Sequence, residues 1–175
     1  DSSTSRGLGD VYKRQQKGLY QIKHTLIHFW YKFVYPHMSG LYEMSTEEFY
    51  ERYIKEELND YLNRYFVKVC GEYLALLNAQ GQLAVQAVKM GVWIGKKGTI
   101  DIIAQDSVRQ NIVAICNWSE PELTDEMWKN LEFSMKQAKI KAEQYYLFSA
   151  QSFDEAIRER AEENPKIKLI DMNEL

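Results

Sequence analysis

Asp101, Ile115 and Asn117 lie on two short β-branched segments, TIDIIA and NIVAICNWS, in a pattern that bears on metal chemistry. Mg²⁺-dependent hydrolysis of a phosphodiester requires oxygen ligands from the protein, because the ion is hard, and it gains from a cation near the developing charge. An aspartate on one strand and a Glu-x-Lys sequence on the next would supply these groups. Here isoleucine and asparagine stand at positions 115 and 117, so one ligand remains and its expected partners are missing.

Side-chain alternation along a strand predicts how these residues are arranged. It places Asp101 on one face of the first strand, and Ile100 and Ile102 on the opposite face. In the second strand it places Ile115 and Asn117 on one face. If the two strands pair as a hairpin, Asp101 faces Ile115 and Asn117.

This arrangement resembles the PD-(D/E)XK nuclease superfamily, and the wider chain is similar to the C-terminal half of the archaeal-type ATPase family. The segments that carry the similarity are, in order, LYQIKHTLIHFWYKFVYPHMSGLYE, YFVKVCGEYL, GTIDIIA, AICNWS, YYLFSAQSFDEAI and KIKLIDMNEL. They lie between about residues 16 and 175. Because six segments match in sequence order, the resemblance is specific although no single segment is decisive.

The resemblance implies an α/β fold of the restriction-endonuclease-like type, αβββαβ, with a mixed sheet flanked by helices and preceded by a helical linker. Family members have an N-terminal P-loop ATPase, a winged helix and a C-terminal nuclease-like domain of unknown function. The implied domains are a winged-helix remnant strand and helical linker at 16–60 and the nuclease-like domain at 61–175. Residues 1–15 are expected to be a non-native tail outside these domains.

The chain departs from the family pattern where nuclease chemistry would lie. The family reads Phe-Glu in the helix before the sheet, where this chain has Phe66-Val67, and Glu-Cys-Lys-Trp in the third strand, where it has ICNW at 115–118. Asp101 matches, whereas Val67, Ile115 and Asn117 replace the other three nuclease-type positions. We therefore expect no catalytic residue and no metal site, with Asp101 as the one weak metal candidate.

Two functions stay open on this basis. The first is a non-catalytic, degenerate nuclease-like domain with an interaction or regulatory role, without a cofactor, in a larger ATP-binding protein. Its partners would be the ATPase and winged-helix half of that protein, and nucleic acid through the parent protein. The second is an active Mg²⁺-dependent nuclease whose catalytic residues have migrated, with Glu72 or Asp106 assisting Asp101. Whether this fragment is an enzyme is left open, and the parent is expected to be an ATPase.

The composition limits the other possibilities. Hydrophobic residues make up 45% of the 175 residues and the net charge is −3, so we expect a folded domain without a strongly basic surface for nucleic acid. Cys70 and Cys116 lie in apolar runs without a paired motif and are expected to be buried thiols in a reducing cytosol. No apolar run reaches the roughly 18 residues of a membrane span, so a cytoplasmic location is expected.

The N-terminal string SSTSRGLGDVYKRQ has no apolar period and resembles translated sequencing-adapter read-through at the end of a metagenomic reading frame. It is excluded from the fold argument. On this interpretation the natural gene continues upstream, where an ATPase would lie.

Periodicity and capping signals predict the elements. A strand is expected at 19–23, helices at 25–35, 45–61 and 63–78, strands at 87–94, 99–104 and 111–117, a helix at 124–142, a strand at 144–149, a helix from 152 to just before Pro165, and a strand at 166–171. Capping boxes are predicted at 45–48 and 152–155. Lys96 and Lys97 are expected on a solvated turn, and Trp93, Trp118, His24 and His28 in packing or surface roles.

Overall fold

The computed structural model describes residues 24–175, so the tail at 1–15 and the strand predicted at 19–23 lie outside the described residues. The helices are α1 Thr25–Phe29, α2 Gly40–Glu43, α3 Thr46–Tyr53, α4 Lys55–Ala79, α5 Asp125–Ala138 and α6 Glu155–Glu163. The strands are β1 Lys89–Ile94, β2 Thr99–Gln105, β3 Asn111–Asn117, β4 Glu122–Leu123, β5 Gln144–Ser149, β6 Ser152–Phe153 and β7 Ile167–Ile170.

Five strands form a mixed sheet in the order β1-β2-β3-β5-β7. The first two pairings are antiparallel and the last two are parallel, while β4 and β6 form a separate two-stranded parallel ladder. The connection that makes β3 and β5 parallel contains α5, as a parallel crossover requires. The predicted α/β class and the order αβββαβ, here α4-β1-β2-β3-α5-β5, are confirmed.

Each face of the sheet is covered by helices. On one face, Phe66, Cys70 and Leu74 of α4 pack against alternate side chains of β2, β3 and β5. On the other face, α5 and α6 bury Trp128, Leu131, Met135 and Ile157. Because both faces are covered, β3 is buried along almost its whole length.

The N-terminal helical region, residues 24–53, has a smaller core of its own. After α1 the chain continues as a π-helical turn, Trp30–Val34, and a 3₁₀ turn, Tyr35–His37. Phe33 and Val34 are buried against Tyr61 of α4, and the Tyr61 hydroxyl donates to the carbonyl oxygen of Thr25 at 2.8 Å. The region is therefore docked on the first turns of α4.

Two predicted helix boundaries are wrong. The capping box at Ser45 and Glu48 is present, but α3 ends at Tyr53, and α4 then runs without a break through the predicted boundary at 61–63. No helix breaker stands there, and Tyr61 and Phe66 keep one buried face continuous across it. The domain boundary proposed at 60/61 thus falls inside one helix.

The capping box predicted at Ser152 is also wrong, because Ser152 begins β6 and α6 starts later. Asp154 caps this helix, and its Oδ1 accepts from the backbone N–H of Ile157 at 2.8 Å. Its Oδ2 accepts from the N–H of Asp125 at 2.9 Å, which ties the starts of α5 and α6 together. Helix α5 ends at Ala138 rather than at 142, since Lys139 adopts a left-handed conformation.

None of the helices among residues 24–175 is long and apolar enough to cross a membrane.

Candidate functional site

The pairing of β1 with β2 is irregular at one point, which lies beside Asp101. Gly91 pairs with Ile103 while Trp93 pairs with Ile100, so β2 holds one extra residue within the pair 101–102. This is a β-bulge, a feature that re-aims side chains and recurs beside functional sites.

The bulge changes which side chains of β2 share a face. Ile100 packs with Ile103 on the face covered by α5 and α6, whereas Ile102 packs on the face covered by α4. The prediction that Ile100 and Ile102 share a face is therefore wrong. Simple alternation holds only where pairing is regular, and it holds in β3, where Ile115 lies on the α5 side and Cys116 on the α4 side.

Asp101 is half-buried and anchors the end of the β2–β3 pair. Regular pairing of these strands begins at Ile102, and beyond it the Asp101 Oδ2 accepts the backbone N–H of Cys116 at 2.9 Å. Burial raises the pKa of the Asp101 carboxyl, and the Cys116 N–H opposes this effect. One carboxylate oxygen is thus committed to holding the strands together.

Asn117 is buried, and its amide closes the turn after β3. The Nδ2 group donates to the carbonyl oxygen of Glu120 at 3.0 Å and to the Ser149 Oγ at 3.3 Å. The Oδ1 atom accepts the backbone N–H of Glu120 at 3.1 Å. The amide therefore ties the end of β3 to the following turn and to the end of β5.

The structure brings three of the four predicted site residues together. Asp101, Ile115 and Asn117 line a cleft of about 550 Å³ between the ends of β2 and β3 and the α5 helix. Val67 does not line it and instead packs against the sheet core on α4. The α4 residue that lines the cleft is Asn63, one turn before Val67.

Several further residues of the cleft were not singled out by sequence reasoning. The polar ones include Asn63, Glu120, Asn130 and Ser134, and the apolar ones include Met127, Leu131 and Phe133. They come from the β3–β4 turn and from α4 and α5, which only the tertiary fold brings together. Of the two turn lysines, Lys97 lines the cleft and Lys96 does not.

The cleft does not fit the Mg²⁺ centre that the fold type implies. Ile115 has no donor atom, the Asn117 oxygen already accepts an N–H, and one oxygen of Asp101 is bonded to the backbone. What remains is Asp101 Oδ1 and the carboxylate of the exposed Glu120. Within the described part of the chain, no group of three or more His, Cys, Asp or Glu side chains is placed to hold a metal ion.

The two carboxylates suggested as helpers of Asp101 lie elsewhere. Glu72 is on the exposed face of α4, with its carboxylate 3.8 Å from the Lys68 ammonium. Asp106 Oδ1 accepts the backbone N–H groups of Val108 and Gln110 in the β2–β3 turn. Neither residue lines the cleft that contains Asp101.

The packing roles predicted for two other candidates, His28 and Trp118, are confirmed. The His28 Nδ1 is hydrogen-bonded to the Tyr65 hydroxyl at 2.8 Å, and Trp118 packs on Phe66 with ring centroids 5.7 Å apart. Cys70 and Cys116 are both buried free thiols, as expected. Burial, together with the neighbouring Cys70 thiol, raises the pKa of the Cys116 thiol well above its ordinary value, so it stays protonated.

The fold is an α/β domain with a mixed five-stranded sheet flanked by helices, compatible with the restriction-endonuclease-like type. Residues 30–131 match the family DUF234, described as "Archaea bacterial proteins of unknown function", and the chain belongs to that family. It is similar to the uncharacterized protein MJECL04 of Methanocaldococcus jannaschii, with 31% identity over 110 residues. That alignment covers 61% of this chain and 24% of the relative, so the chain spans about a quarter of its relative's length. No solved structure matches the chain.

Proposed function

We propose that this chain is a non-catalytic, degenerate nuclease-like domain, the C-terminal part of an archaeal-type ATP-binding protein, and that it serves an interaction or regulatory role. The proposal is supported mainly by the structural contacts of the two polar residues at the site. Asp101 holds the β2–β3 end through the Cys116 N–H, and Asn117 holds the turn at Glu120. Both side chains stabilise the fold at positions where a nuclease would keep its ligands free.

The fold supports a nuclease-like origin. The order α4-β1-β2-β3-α5-β5 and the bulge beside Asp101 place one acidic residue at the centre of a cleft between two strand ends. Ile115 then presents an apolar side chain where the resemblance calls for an acid. A metal ion at Asp101 would have no second protein ligand at position 115. Positioning of the metal and stabilisation of the developing charge would therefore be lost together.

An interaction role is supported by the surface of the N-terminal helical region. This region leaves large apolar side chains exposed on its outer side: Leu26, Ile27, Trp30, Tyr31, Tyr35 and Tyr42. Contiguous exposed apolar surface marks sites of association. The chain spans about a quarter of its relative's length. The proposed occupant is therefore the upstream half of the parent protein, with its ATPase and winged helix, through which nucleic acid would be contacted.

A specific observation also favours the second candidate, an active Mg²⁺-dependent nuclease with migrated residues. Glu120 and Lys97 line the same cleft as Asp101. A second carboxylate and a cation near the first carboxylate are the groups such chemistry needs. Both are exposed and come from turns, so they are less well positioned than ligands on strands.

A cleavage assay separates the two candidates. The full chain is incubated with single- and double-stranded DNA and RNA in Mg²⁺ or Mn²⁺, beside a matched Asp101→Asn variant. We expect the same background with both proteins. Metal-dependent cleavage by the unsubstituted chain that is lost in Asp101→Asn, and also in Glu120→Gln, would establish the second candidate instead.

A further inference from the structure

The five-stranded sheet has an open edge at β1. In the strand order β1-β2-β3-β5-β7, β1 pairs with β2 on one side, and no strand of residues 24–175 pairs with its outer side. Outside the β1–β2 ladder, Lys89–Ile94 take part in no backbone–backbone hydrogen bond within the described part of the chain. An edge strand of this kind presents a row of unpaired N–H and C=O groups on which another extended chain can pair.

The opposite edge of the sheet is better protected. β7 has four residues, Ile167–Ile170, and both of its end residues are buried. β1 has six residues and no proline, and its Met90 and Ile94 are 38% and 46% exposed. Proteins protect edge strands by shortness, proline or charge, and in β1 the only charged residue is Lys89, at its start. The stretch from Met90 to Ile94 is therefore an uncharged edge that is open to pairing.

The side chains of β1 add an apolar strip to this edge. The extra residue of the bulge lies in β2, so alternation along β1 is regular. Trp93 packs with the core on the face covered by α5 and α6, which places Met90, Val92 and Ile94 on the opposite face. Met90 and Ile94 are exposed, and Val92 is half-buried. A segment paired with β1 would cover these side chains with its own alternate side chains.

Positive charge flanks the apolar strip at both ends. Residues 73–100 contain three lysines, Lys89, Lys96 and Lys97, and no aspartate, glutamate or arginine. Lys89 is the first residue of β1, and the other two lie in the turn directly after this strand. Within residues 24–175, none of the three forms an ion pair. Acidic residues at the ends of a paired segment would meet these ammonium groups, so charge selects an acidic occupant.

We propose that β1 is a strand-addition site for a partner protein, and that it binds an extended segment with apolar residues at alternate positions and acidic residues at both ends. The backbone groups of β1 provide the affinity of such a contact, and the apolar strip and the lysines provide its selectivity. A nucleic acid strand would meet the lysines, but it has no row of backbone N–H and C=O groups to match the edge.

A second copy of this chain fits the edge less well. A two-fold symmetric pair of β1 strands is antiparallel, which would bring Lys89 of one copy beside the lysine turn of the other. Like charges placed opposite each other are destabilising. The edge also shares no residue with the exposed apolar surface of the N-terminal helical region. A contact at β1 and a contact at that surface can therefore be tested separately.

Fluorescence anisotropy of a labelled peptide, titrated with the full chain, measures the binding. The peptide has about ten residues, with two glutamates at each end and alternating threonine and valine between them. We expect a dissociation constant at or below about 100 µM. The same peptide N-methylated at each central residue cannot donate backbone hydrogen bonds and should not bind. A peptide with lysines in place of the glutamates should bind at least about tenfold more weakly.

Matched charge reversals locate the contact. Lys89→Glu combined with Lys96→Glu should weaken binding of the acidic peptide about tenfold and strengthen binding of the lysine peptide. Both side chains are exposed, so we expect the fold to be retained. Lys168→Glu, at an exposed position on the opposite edge strand β7, is the control and should change neither affinity. Hydrogen exchange with the acidic peptide bound should show added protection in β1 and none in β7.

Four results would overturn this proposal. The first two are absence of binding by the acidic peptide and an affinity that N-methylation leaves unchanged. The third is a dimer of the chain, seen by light scattering, that the acidic peptide dissociates, because a second copy would then be the occupant. The fourth is a single-stranded oligonucleotide that binds the same lysines more tightly than the peptide does. Failure of the proposed function would show instead as metal-dependent cleavage that is lost in Asp101→Asn.

Discussion

The N-terminal helical region and the sheet with its cleft differ in which side chains they bury and which they leave exposed. In the N-terminal region Phe33 and Val34 form a small buried core with Tyr61 of α4, while many large apolar side chains remain exposed to water. In the sheet the apolar residues are buried on both faces, and polar side chains, among them Asp101 and Asn117, line the cleft at the ends of β2 and β3. Excess exposed apolar surface marks a site of association, whereas the polar side chains of the cleft hold the strand end and the following turn together.

The largest expected effect compares the two cores directly. Phe148 is fully buried in the sheet, and Phe148→Ala should lower the free energy of unfolding by about 3–5 kcal/mol. Phe33→Ala removes an equally buried ring from the N-terminal core, but we expect it to open mainly residues 25–53 by local unfolding. Urea denaturation gives the global values, and hydrogen exchange gives the local ones.

The two-core comparison breaks if Phe33→Ala lowers hydrogen-exchange protection in β3 as much as Phe148→Ala does. The two regions would then unfold as one cooperative unit. Tyr42→Ala, at a residue that is 84% exposed, is the control and should leave both measurements unchanged.

A smaller effect is expected where Asp101 anchors the cleft. Asp101→Ala leaves the Cys116 N–H without its acceptor, which should cost about 1–3 kcal/mol of stability. Asp101→Asn keeps an acceptor oxygen at the same position and should stay close to the parent chain. Equal stability of Asp101→Ala and the parent chain, measured by urea denaturation, would show that the side chain is not a structural anchor.

The pH dependence sharpens the same point. Burial raises the pKa of Asp101 in the folded state above its value in the unfolded chain, which is about 3.9. The carboxyl is neutral in both states below that value, and the folded state loses stability as pH rises through the raised pKa. Relative to Asp101→Asn, the unsubstituted chain should therefore become less stable as pH rises from about 4. The difference in stability should become constant above the pKa of Asp101 in the folded state.

Thermal denaturation of both proteins across this pH range measures the difference. Glu120→Gln removes an exposed carboxylate from the same cleft and serves as the control. A parent chain that gains stability relative to Asp101→Asn with rising pH would mean that hydrogen bonding to the charged form outweighs burial.

The smallest effect on stability, and a larger one on association, is expected at the N-terminal surface. Replacing Leu26, Tyr31 and Tyr35 by serine removes exposed apolar side chains and should change stability by less than about 0.5 kcal/mol per site. Self-association of the full chain, measured by light scattering at matched concentration, should fall. An unchanged or greater scattering signal would remove the argument for a partner surface in this region.

Much of the sheet could be predicted from local sequence, and the reasons are visible in particular residues. The bounds of β3 and β5 follow from short apolar runs flanked by polar residues, and β5 is Gln144–Ser149 as predicted. The start of α3 follows from the capping box at Ser45 and Glu48. By contrast, Ser152-x-x-Glu155 has the same local pattern but is overruled, because Phe153 is buried in β6 and Asp154 takes the capping role.

The site was less predictable, because it depends on tertiary geometry. The grouping of Asp101, Ile115 and Asn117 follows from strand alternation, but the bulge that shifts Ile100 leaves no local signal in the sequence. Phe133 and Ser134 lie on the amphipathic helix α5. That they line the cleft becomes visible only in the folded structure, where the β1–β2 turn at Gly98 packs on Ser134. The function of the site positions stays a prediction.

The affinity of the chain for divalent metal ions distinguishes a degenerate site from an active one. Titrating the full chain with Mg²⁺ and then Mn²⁺ in a calorimeter measures whether Asp101 still belongs to a metal centre. We expect no saturable binding in the micromolar range, because Ile115 has no donor atom and the Asn117 amide is hydrogen-bonded to the turn. Micromolar affinity for either ion that disappears in Asp101→Asn would contradict it.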